Sequence, residues 1–303
     1  MILLESKVNT CKYINGGEIF LILINYNEVD IIKFPNNEVL IKNKDFTKLE
    51  LSKGDLHIRF KFETNEDLIN LMFLKKYFDD SRSKKKCHLK ILYMPYSRMD
   101  RTEGTSVFTL KYVSQFINDL NFETVEVYEP HSDVTMALLD RATQVNMTKT
   151  VVNNVRFMLD FRDSSDKNDY LFFPDAGAEK RYSKQFKFKN ILSANKERDF
   201  ETGDIKKLTI TGEIPKEPFR VIIVDDLCSK GGTFMLSASK LKEIGATEIY
   251  LAITHCENTI HDGSILKTDL IDKVYTTNSL LTNYASDKIE IVKDLLSSGY
   301  ISE

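Results

Sequence analysis

Short apolar runs alternate with amphipathic stretches along this chain. Strands are predicted in its first half at residues 18–25, 30–33, 55–62, 89–94 and 124–128. Amphipathic helices are predicted at residues 63–78, where Thr64 and Asp67 have the spacing of a capping box, and at residues 106–120. Because strands alternate with helices, this half of the chain predicts a parallel sheet.

The second half repeats that order of elements. Strands are predicted at residues 170–173, 190–194, 220–224, 248–254 and 272–276. A helix rich in Lys and Arg follows the first of these strands, and residues 233–244 predict a helix that Gly245 closes. The chain therefore predicts an α/β fold with two tandem domains, residues 1–148 and 149–303, each a mostly parallel sheet flanked by helices.

Composition narrows the class of protein. Hydrophobic residues make up 42% of the chain, enough for a sizeable core, and the net charge of −3 gives no overall attraction to nucleic acid or to a membrane. The four cysteines form no CxxC pair, which fits a reduced cytoplasm. No signal peptide is evident, nor an apolar run of the roughly 18 residues that a membrane helix needs. We expect a cytoplasmic protein in which any phosphate-binding site depends on a local group of residues and not on the overall charge.

Distinctive chemistry follows the apolar run at residues 220–224. Asp225 and Asp226 stand side by side, and a Gly-Gly-Thr sequence at residues 231–233 then opens the predicted helix. Glycines let backbone N–H groups approach a phosphate closely, and a helix N-terminus favours an anion. Carboxylates beside such a cradle suit ribose hydroxyls or a metal ion. The pattern predicts a sugar-phosphate site, and the alternative is an ordinary turn with a helix cap.

Further candidate residues stand at other predicted strand ends, where ligands bind in open parallel sheets. His131 and Asp175 follow separate strands and are suited to share a Mg²⁺. Arg98 and Arg101 are suited to grip triphosphate oxygens, and the Lys-Glu-Arg sequence at residues 196–198 is suited to a mobile loop that closes over developing charge. The alternatives are a structural histidine, a salt-bridged loop and a solvated surface loop.

Taken in their order along the chain, these motifs resemble those of the ribose-phosphate pyrophosphokinases, also called phosphoribosyl-pyrophosphate synthetases. The resemblance is strongest to the shorter, divergent members carried by phages and some bacteria, and it covers residues 34–279. The segments that carry it are Phe-Pro-Asn-Asn-Glu at 34–38, Pro-Tyr-Ser-Arg-Met-Asp-Arg at 95–101, Pro-His-Ser-Asp at 130–133, Pro-Asp-Ala-Gly at 174–177 and Lys-Glu-Arg at 196–198.

The resemblance implies a fold and a reaction. The fold would be two tandem phosphoribosyltransferase-like domains of type I, with the ATP side in the first and the sugar-phosphate loop and catalytic flexible loop in the second. The reaction would be Mg²⁺-dependent transfer of the β,γ-diphosphoryl group of ATP to the anomeric hydroxyl of ribose 5-phosphate, with release of AMP. The protein would be a homo-oligomer with its ATP site at a subunit interface.

The resemblance also implies residue roles. Lys196, Arg198 and His131 would be catalytic, and His131 and Asp175 would hold Mg²⁺. ATP would contact Phe34, Asn36, Glu38, Arg98, Met99, Asp100 and Arg101. The sugar phosphate would contact Asp175, Asp225, Asp226, Ser229, Lys230, Gly231, Gly232 and Thr233. Within that set, the Asp225–Asp226 pair would hold the ribose 2- and 3-hydroxyls and the glycine loop the 5-phosphate.

Several residues depart from the family's pattern. Ser229 stands where the family has an acid, and Lys230 adds a cation, so this pocket should attract anions more strongly than usual. A larger acceptor, ADP-ribose, is therefore a second hypothesis, and its product would feed nicotinamide salvage into NAD. Met99 and Asn36 replace the expected Gln and Asp on the ATP side, which leaves the preference for nucleotide open.

Other functions stay open at this point. A phosphoribosyltransferase shares the acid pair and the glycine loop, but needs neither the Arg98 pair nor the segment at residues 196–198. A non-catalytic, synthetase-like regulatory subunit is favoured by Ser229 and Met99 and opposed by the retained His131. A metal-binding module built on His255, Cys256 and His261 lacks a fourth ligand at suitable spacing.

Overall fold

The computed structural model describes residues 13–14, 17–18, 22–42, 46–102, 104–162, 168–198 and 205–296, with the side chains of residues 13–14, 17–18, 197–198 and 205–206 outside that description. The chain divides into two compact units, the first comprising Met1–Val145 and Leu296–Glu303 and the second Asn146–Leu295. The domain boundary after residue 148 stays a prediction. Among the described helices, none is long and apolar enough to cross a membrane.

The first unit is an α/β unit. Its elements in chain order are β1 (Tyr13–Ile14), β2 (Gly17–Glu18), β3 (Ile22–Ile24), β4 (Asn27–Glu28), β5 (Asp30–Lys33), β6 (Val39–Lys42), α1 (Phe46–Leu51), β7 (Leu56–Phe60), α2 (Asn65–Asp80), β8 (Cys87–Ile91), α3 (Thr109–Asp119), β9 (Thr124–Tyr128), α4 (Asp133–Leu138) and β10 (Ala142–Val145).

The sheet of this unit has the order β10-β9-β8-β7-β3-β4, and β7 to β10 are parallel neighbours. The core lies where α2 packs on the sheet, with Leu71, Leu74 and Phe78 buried. Helix α2 begins as predicted, because the Asp67 carboxylate accepts a hydrogen bond of 2.7 Å from the Thr64 amide in a capping box. The predicted mostly parallel sheet is confirmed here.

The second unit carries a larger sheet. Its elements are α5 (Met147–Met158), β11 (Asp169–Phe173), α6 (Ala176–Tyr182), β12 (Ile191–Arg198), β13 (Ile205–Gly212), β14 (Phe219–Cys228), α7 (Gly232–Glu243), β15 (Ala246–Cys256), β16 (Lys273–Thr277) and β17 (Ile289–Lys293). Short 3₁₀ helices lie at Ser183–Gln185, Asn258–Asp262 and Ile265–Lys267.

This second sheet has the order β13-β12-β11-β14-β15-β16-β17, with every pair parallel except β12 and β13. Helix α7 ends as predicted, because Gly245 adopts a φ of +100° directly after it. The sheet extends beyond the last predicted strand, at residues 272–276, because β17 pairs with β16. Strand β17 is short and mostly half-buried, so its sequence gives only a weak strand pattern.

Two further boundaries matter for the site. Strand β14 runs through Cys228, so Asp225 and Asp226 lie inside the strand rather than after it; Asp225 is the register partner of Ile253 on β15. Strand β12 runs through Arg198, so the prediction of a loop at residues 196–198 is wrong for the backbone. Antiparallel pairing with β13, with Lys196 opposite Leu208, extends the strand. Residues 199–204, which follow this segment, lie outside the described residues.

Candidate active site

The candidate site of the second unit stands at the C-terminal ends of adjacent parallel strands. Strand β11 lies between β12 and β14, and all three run in the same direction. Their ends therefore reach the same edge of the sheet, which is where open α/β sheets bind ligands. Asp175 follows β11, Lys196 lies near the end of β12, and Asp225 and Asp226 lie near the end of β14.

Asp175 caps helix α6. Its Oδ1 accepts a hydrogen bond of 2.9 Å from the Ala178 amide, which satisfies a backbone donor in the first turn. Its Oδ2 accepts one of 3.1 Å from the Lys196 ammonium. Burial alone would raise the pKa of Asp175, but the Ala178 amide and the Lys196 charge outweigh it and lower the pKa below its ordinary value. Asp175 is therefore a fixed carboxylate.

Lys196 is the cation of this group. Its side chain is only 7% exposed, whereas that of Asp175 is 43% exposed. An ammonium so well covered has its position set by its neighbours, and here the Asp175 carboxylate holds it at the sheet edge. The sequence predicts a functional Lys196, and the structure supports a fixed position on a strand. The side chain of Arg198, its predicted partner, lies outside the described residues.

Asp225 and Asp226 crowd negative charge beside Asp175. Burial, and then repulsion from Asp226 and Asp175, raise the pKa of Asp225 well above its ordinary value. The Asp226 amide donates a hydrogen bond of 2.9 Å to Asp225 Oδ1, which opposes part of that shift. Hydrogen bonds from hydroxyl donors would favour the charged form of Asp225 and offset part of this rise in its pKa.

Arg181 is a site residue that the motifs did not single out. It lies on α6, and its Nη1 donates to Asp226 Oδ2 at 3.4 Å, with the Asp226 side chain only 5% exposed. The available sequence signal was the Lys/Arg content of the helix predicted behind residue 177. The sequence alone could not show which of Lys180, Arg181 and Lys184 contacts Asp226, because that depends on how this segment packs against β14.

The predicted phosphate loop joins β14 to α7. Gly231 is the N-cap of α7 and adopts a left-handed φ of +82° and ψ of 19°, which favours glycine. As the N-cap, Gly231 contributes no capping side chain, so this helix N-terminus is suited to an acceptor from a ligand. Gly232 is exposed and Thr233 half-buried, while Ser229 is half-buried and Lys230 exposed. These features match an anion cradle at a helix N-terminus.

The first unit holds the residues predicted to contact ATP. Arg98, Met99 and Arg101 are exposed in the loop after β8, and His131 is half-buried in the turn after β9. Strands β8 and β9 are parallel neighbours, so this loop and turn leave the sheet at the same edge. Asp100, in the same loop, is half-buried.

The predicted Phe34–Glu38 segment is the tip of the hairpin that joins β5 to β6. The Phe34 amide donates to the Glu38 carbonyl at 2.8 Å, and Asn36 Oδ1 accepts from the Glu38 amide at 3.2 Å. All three side chains are exposed, with Phe34 at 46%. The hairpin therefore presents an aromatic ring and a carboxylate to its surroundings.

Comparisons with known proteins show which enzymes this chain resembles. No protein-family model matches the chain. The ribose-phosphate pyrophosphokinase of Pyrococcus abyssi is 24% identical over 282 residues, which cover 91% of this chain and 91% of that protein. The enzyme of the same name from Thermococcus kodakarensis is 24% identical over 278 residues, covering 89% of this chain and 91% of that protein. Over most of its length the chain is therefore similar to ribose-phosphate pyrophosphokinases.

A solved relative agrees in fold. The crystal structure of the phosphoribosylpyrophosphate synthetase from Mycobacterium smegmatis superposes with a TM-score of 0.70 at 15% identity, covering 89% of this chain and 87% of its own. The predicted α/β fold with mostly parallel sheets is confirmed, and it is the fold of that synthetase. The names of these relatives support the prediction that the chain is a transferase of the diphosphokinase type.

Mg²⁺ is the cofactor that the family resemblance implies. Within the described ranges, no three His, Cys, Asp or Glu side chains are grouped to hold a metal ion. Mg²⁺ normally uses one or two carboxylates and completes its shell with water and substrate phosphates, so a single fixed carboxylate such as Asp175 fits it. His131 belongs to the first unit and Asp175 to the second, and their sharing of Mg²⁺ stays a prediction.

The alternative metal module at residues 255–261 has other partners. His255 is 1% exposed, and its Nδ1 lies 2.8 Å from Ser279 Oγ. His261 Nε2 lies 3.0 Å from the Asn283 carbonyl oxygen. Both imidazoles join this part of the chain to the segment after β16, which is a structural use of histidine.

Proposed function

We propose that this ribose-phosphate pyrophosphokinase homologue transfers the β,γ-diphosphoryl group of ATP to the anomeric hydroxyl of ribose 5-phosphate. The hydroxyl oxygen attacks the β-phosphorus and loses its proton, and the bond from that phosphorus to the oxygen shared with the α-phosphate breaks. The products are phosphoribosyl pyrophosphate and AMP. ATP and the sugar phosphate are the substrates in this proposal.

One observation carries the proposal. Strand β14 presents the Asp225–Asp226 pair and leads, within a few residues, to the uncapped N-terminus of α7 at Gly231. The acid pair suits the vicinal hydroxyls of a ribose, and the helix N-terminus suits its 5-phosphate. Neighbouring strands add the Lys196–Asp175 ion pair at 3.1 Å, which supplies a fixed cation.

The roles we assign follow from charge. Asp225 and Asp226 accept hydrogen bonds from the 2- and 3-hydroxyls, and the amides of Gly232 and Thr233 donate to the 5-phosphate. Phosphoryl transfer depends on positioning and on stabilising charge rather than on covalent catalysis. Lys196 therefore stabilises negative charge at the transferring diphosphoryl group, in company with Arg198.

On the donor side, Arg98 and Arg101 bind phosphate oxygens of ATP, and the exposed hairpin at Phe34 contacts ATP bound to a neighbouring subunit of a homo-oligomer. Asp175 and His131 would hold Mg²⁺. When bound, Mg²⁺ would neutralise charge on the β- and γ-phosphates.

The test is product analysis. The purified chain is incubated with ATP, Mg²⁺ and ribose 5-phosphate, and AMP and phosphoribosyl pyrophosphate are measured by chromatography. We expect both to appear in equal amounts. A chain that releases pyrophosphate from phosphoribosyl pyrophosphate and a nucleobase, with no AMP from ATP, would instead be a phosphoribosyltransferase.

ADP-ribose is a second candidate acceptor, favoured by the loop itself. Ser229 and Lys230 stand in the turn before Gly231, and Lys230 is exposed, so its ammonium is available to a second phosphate. We expect Lys230→Ala to lower the rate with ADP-ribose more than the rate with ribose 5-phosphate. Parallel assays of AMP release decide, and activity confined to ribose 5-phosphate would remove this candidate.

A further inference from the structure

Gly263 touches the phosphate loop from another part of the chain. It ends the 3₁₀ helix Asn258–Asp262 and lies against the backbone of Lys230. A Cβ atom built on Gly263 would overlap the Lys230 carbonyl oxygen and lie 2.9 Å from its carbonyl carbon and 3.2 Å from its Cα. Backbone atoms cannot swing aside as the end of a flexible side chain can, so position 263 has no room for any side chain.

Position 263 requires glycine because there is no space for a side chain, and not because its backbone conformation excludes other residues. Gly263 has a φ of −84° and a ψ of −169°, an extended conformation that any residue adopts. Gly231 differs, because its φ of +82° also favours glycine, and a Cβ there would lie 2.7 Å from Ile265 Cγ1. The loop therefore packs closely against Gly263 at Lys230 and against Ile265 at Gly231.

The segment that presses on the loop is itself anchored. The Glu257 amide donates a hydrogen bond of 2.8 Å to the Cys228 carbonyl, directly before the loop. Asn258 Oδ1 accepts hydrogen bonds of 3.0 Å from the amides of Thr282 and Asn283. Ile265 is fully buried in the core of the second unit. A side chain added at position 263 would therefore displace the loop rather than the segment.

We infer that Gly263 is a positioning residue that sets the phosphate-binding conformation of the Ser229–Thr233 loop. The peptide after Lys230 carries the Gly231 amide, and the peptides that follow carry the first amides of α7. A shift of the Lys230 carbonyl therefore moves the donors that the proposed function assigns to the 5-phosphate. The inference depends on the proposed function only for the identity of the ligand, a sugar 5-phosphate.

The test compares Gly263→Ala with the wild type in the full chain. Since a misplacement of about 1 Å can cost on the order of 100-fold in such sites, we expect the KM for the sugar acceptor to rise on the order of 10- to 100-fold. The KM for ATP should stay within about twofold, because the residues that the proposed function assigns to the phosphates of ATP belong to the first unit. Ile265→Val, which removes a methyl group from the contact with Gly231, should change the same KM in the same direction and by less.

Gly212→Ala is the matched control. It also places a Cβ against backbone, 2.6 Å from the Ile191 carbonyl oxygen, at a φ of +117°, but at the end of β13. We expect it to lower the melting temperature and leave both KM values unchanged. If Gly263→Ala, or Ile265→Val where the first variant does not fold, leaves the acceptor KM unchanged, the inference is wrong.

Equilibrium binding of ribose 5-phosphate, measured by calorimetry without ATP, separates this inference from the proposed function. A wild type that binds ribose 5-phosphate but releases no AMP contradicts the proposed function, and weaker binding by Gly263→Ala still supports the positioning role. Equal binding by the wild type and the variant contradicts the positioning role, whatever the activity.

Discussion

Replacing Lys196 by alanine is the most direct test of the candidate active site. The change removes an ammonium that lies 3.1 Å from Asp175 Oδ2 on a side chain only 7% exposed. The Asp175 carboxylate keeps the hydrogen bond from the Ala178 amide and its 43% exposure, so water can replace the lost cation. The perturbation is therefore confined to the charge at the sheet edge.

The expected magnitudes for catalysis and stability differ clearly. Loss of one preorganised donor to a transition state costs on the order of 10²–10³ in rate, about 2.7–4 kcal/mol. An ion pair with one well-exposed partner contributes about 0.2–1 kcal/mol to folding. We therefore expect kcat of Lys196→Ala to fall at least about 100-fold while the free energy of unfolding falls by on the order of 1 kcal/mol.

The assay measures AMP release at saturating ATP and acceptor, with urea unfolding in parallel. Lys216→Ala is the control, since Lys216 is an exposed lysine between β13 and β14. It should change neither kcat nor stability. A kcat for Lys196→Ala within about threefold of the wild type, which is under 1 kcal/mol, would remove Lys196 from the mechanism.

The remaining site and core residues give further expected outcomes. At neutral pH, Asp225→Asn should raise the melting temperature, because the raised pKa of Asp225 means that its charged form destabilises the fold; the gain should vanish as the pH falls to the ordinary carboxyl value of about 3.9. Asp175→Asn should lower the melting temperature, because the pKa of Asp175 is depressed, and this loss should shrink as the pH falls through that depressed pKa; melting curves across pH check both signs. Arg181→Gln should raise the acceptor KM on the order of tenfold with little change in the ATP KM, and equal rises would contradict its role beside the acid pair. Asp169→Asn should cost about 3 kcal/mol in urea unfolding, because Asp169 is 1% exposed and accepts two hydrogen bonds of 2.8 Å from Arg220; a loss under about 1 kcal/mol would contradict that assignment.

The strands of the fold were the most predictable part. Buried strands such as β11 and β14 read as apolar runs because both of their faces are covered, and the sequence marks them clearly. Helix α5 was not predicted, because its Thr, Asn and Val residues have weak helix propensity and its stability comes from packing Val151, Val152 and Val155. Strand β17 lies at the edge of the sheet and is mostly half-buried, so its sequence contains no clear apolar run.

The candidate site was predictable where a motif is continuous in sequence. Asp175 and the Asp225–Asp226 pair stand in short motifs that carry their own chemistry, so reading along the chain finds them. Arg181 and Gly263 contact residues far away in sequence, and a single sequence does not show which of its cations or glycines makes such a contact. The strand at Lys196 was missed because its polar residues resemble a loop, while the hydrogen bonds that extend it come from β13.

The raised pKa of Asp225 has a consequence for acceptor binding. In the free protein, burial and repulsion from Asp226 and Asp175 favour the protonated form of Asp225. In the proposed complex, ribose hydroxyls donate to this carboxyl group, which favours its charged form and lowers its pKa. Acceptor binding should therefore release protons, and affinity should weaken as the pH falls through the raised pKa of the free protein.

Calorimetric titration with ribose 5-phosphate in two buffers of different ionisation enthalpy measures this proton release. The 5-phosphate itself titrates, with a pKa of about 6, so the wild type must be compared with Asp225→Asn, which keeps the phosphate's contribution and lacks the carboxyl group's. We expect the variant to bind more weakly and to release fewer protons than the wild type. Equal proton release by the two proteins would mean that Asp225 does not change its charge on binding, and the acid pair would then hold the ribose without the electrostatic coupling argued here.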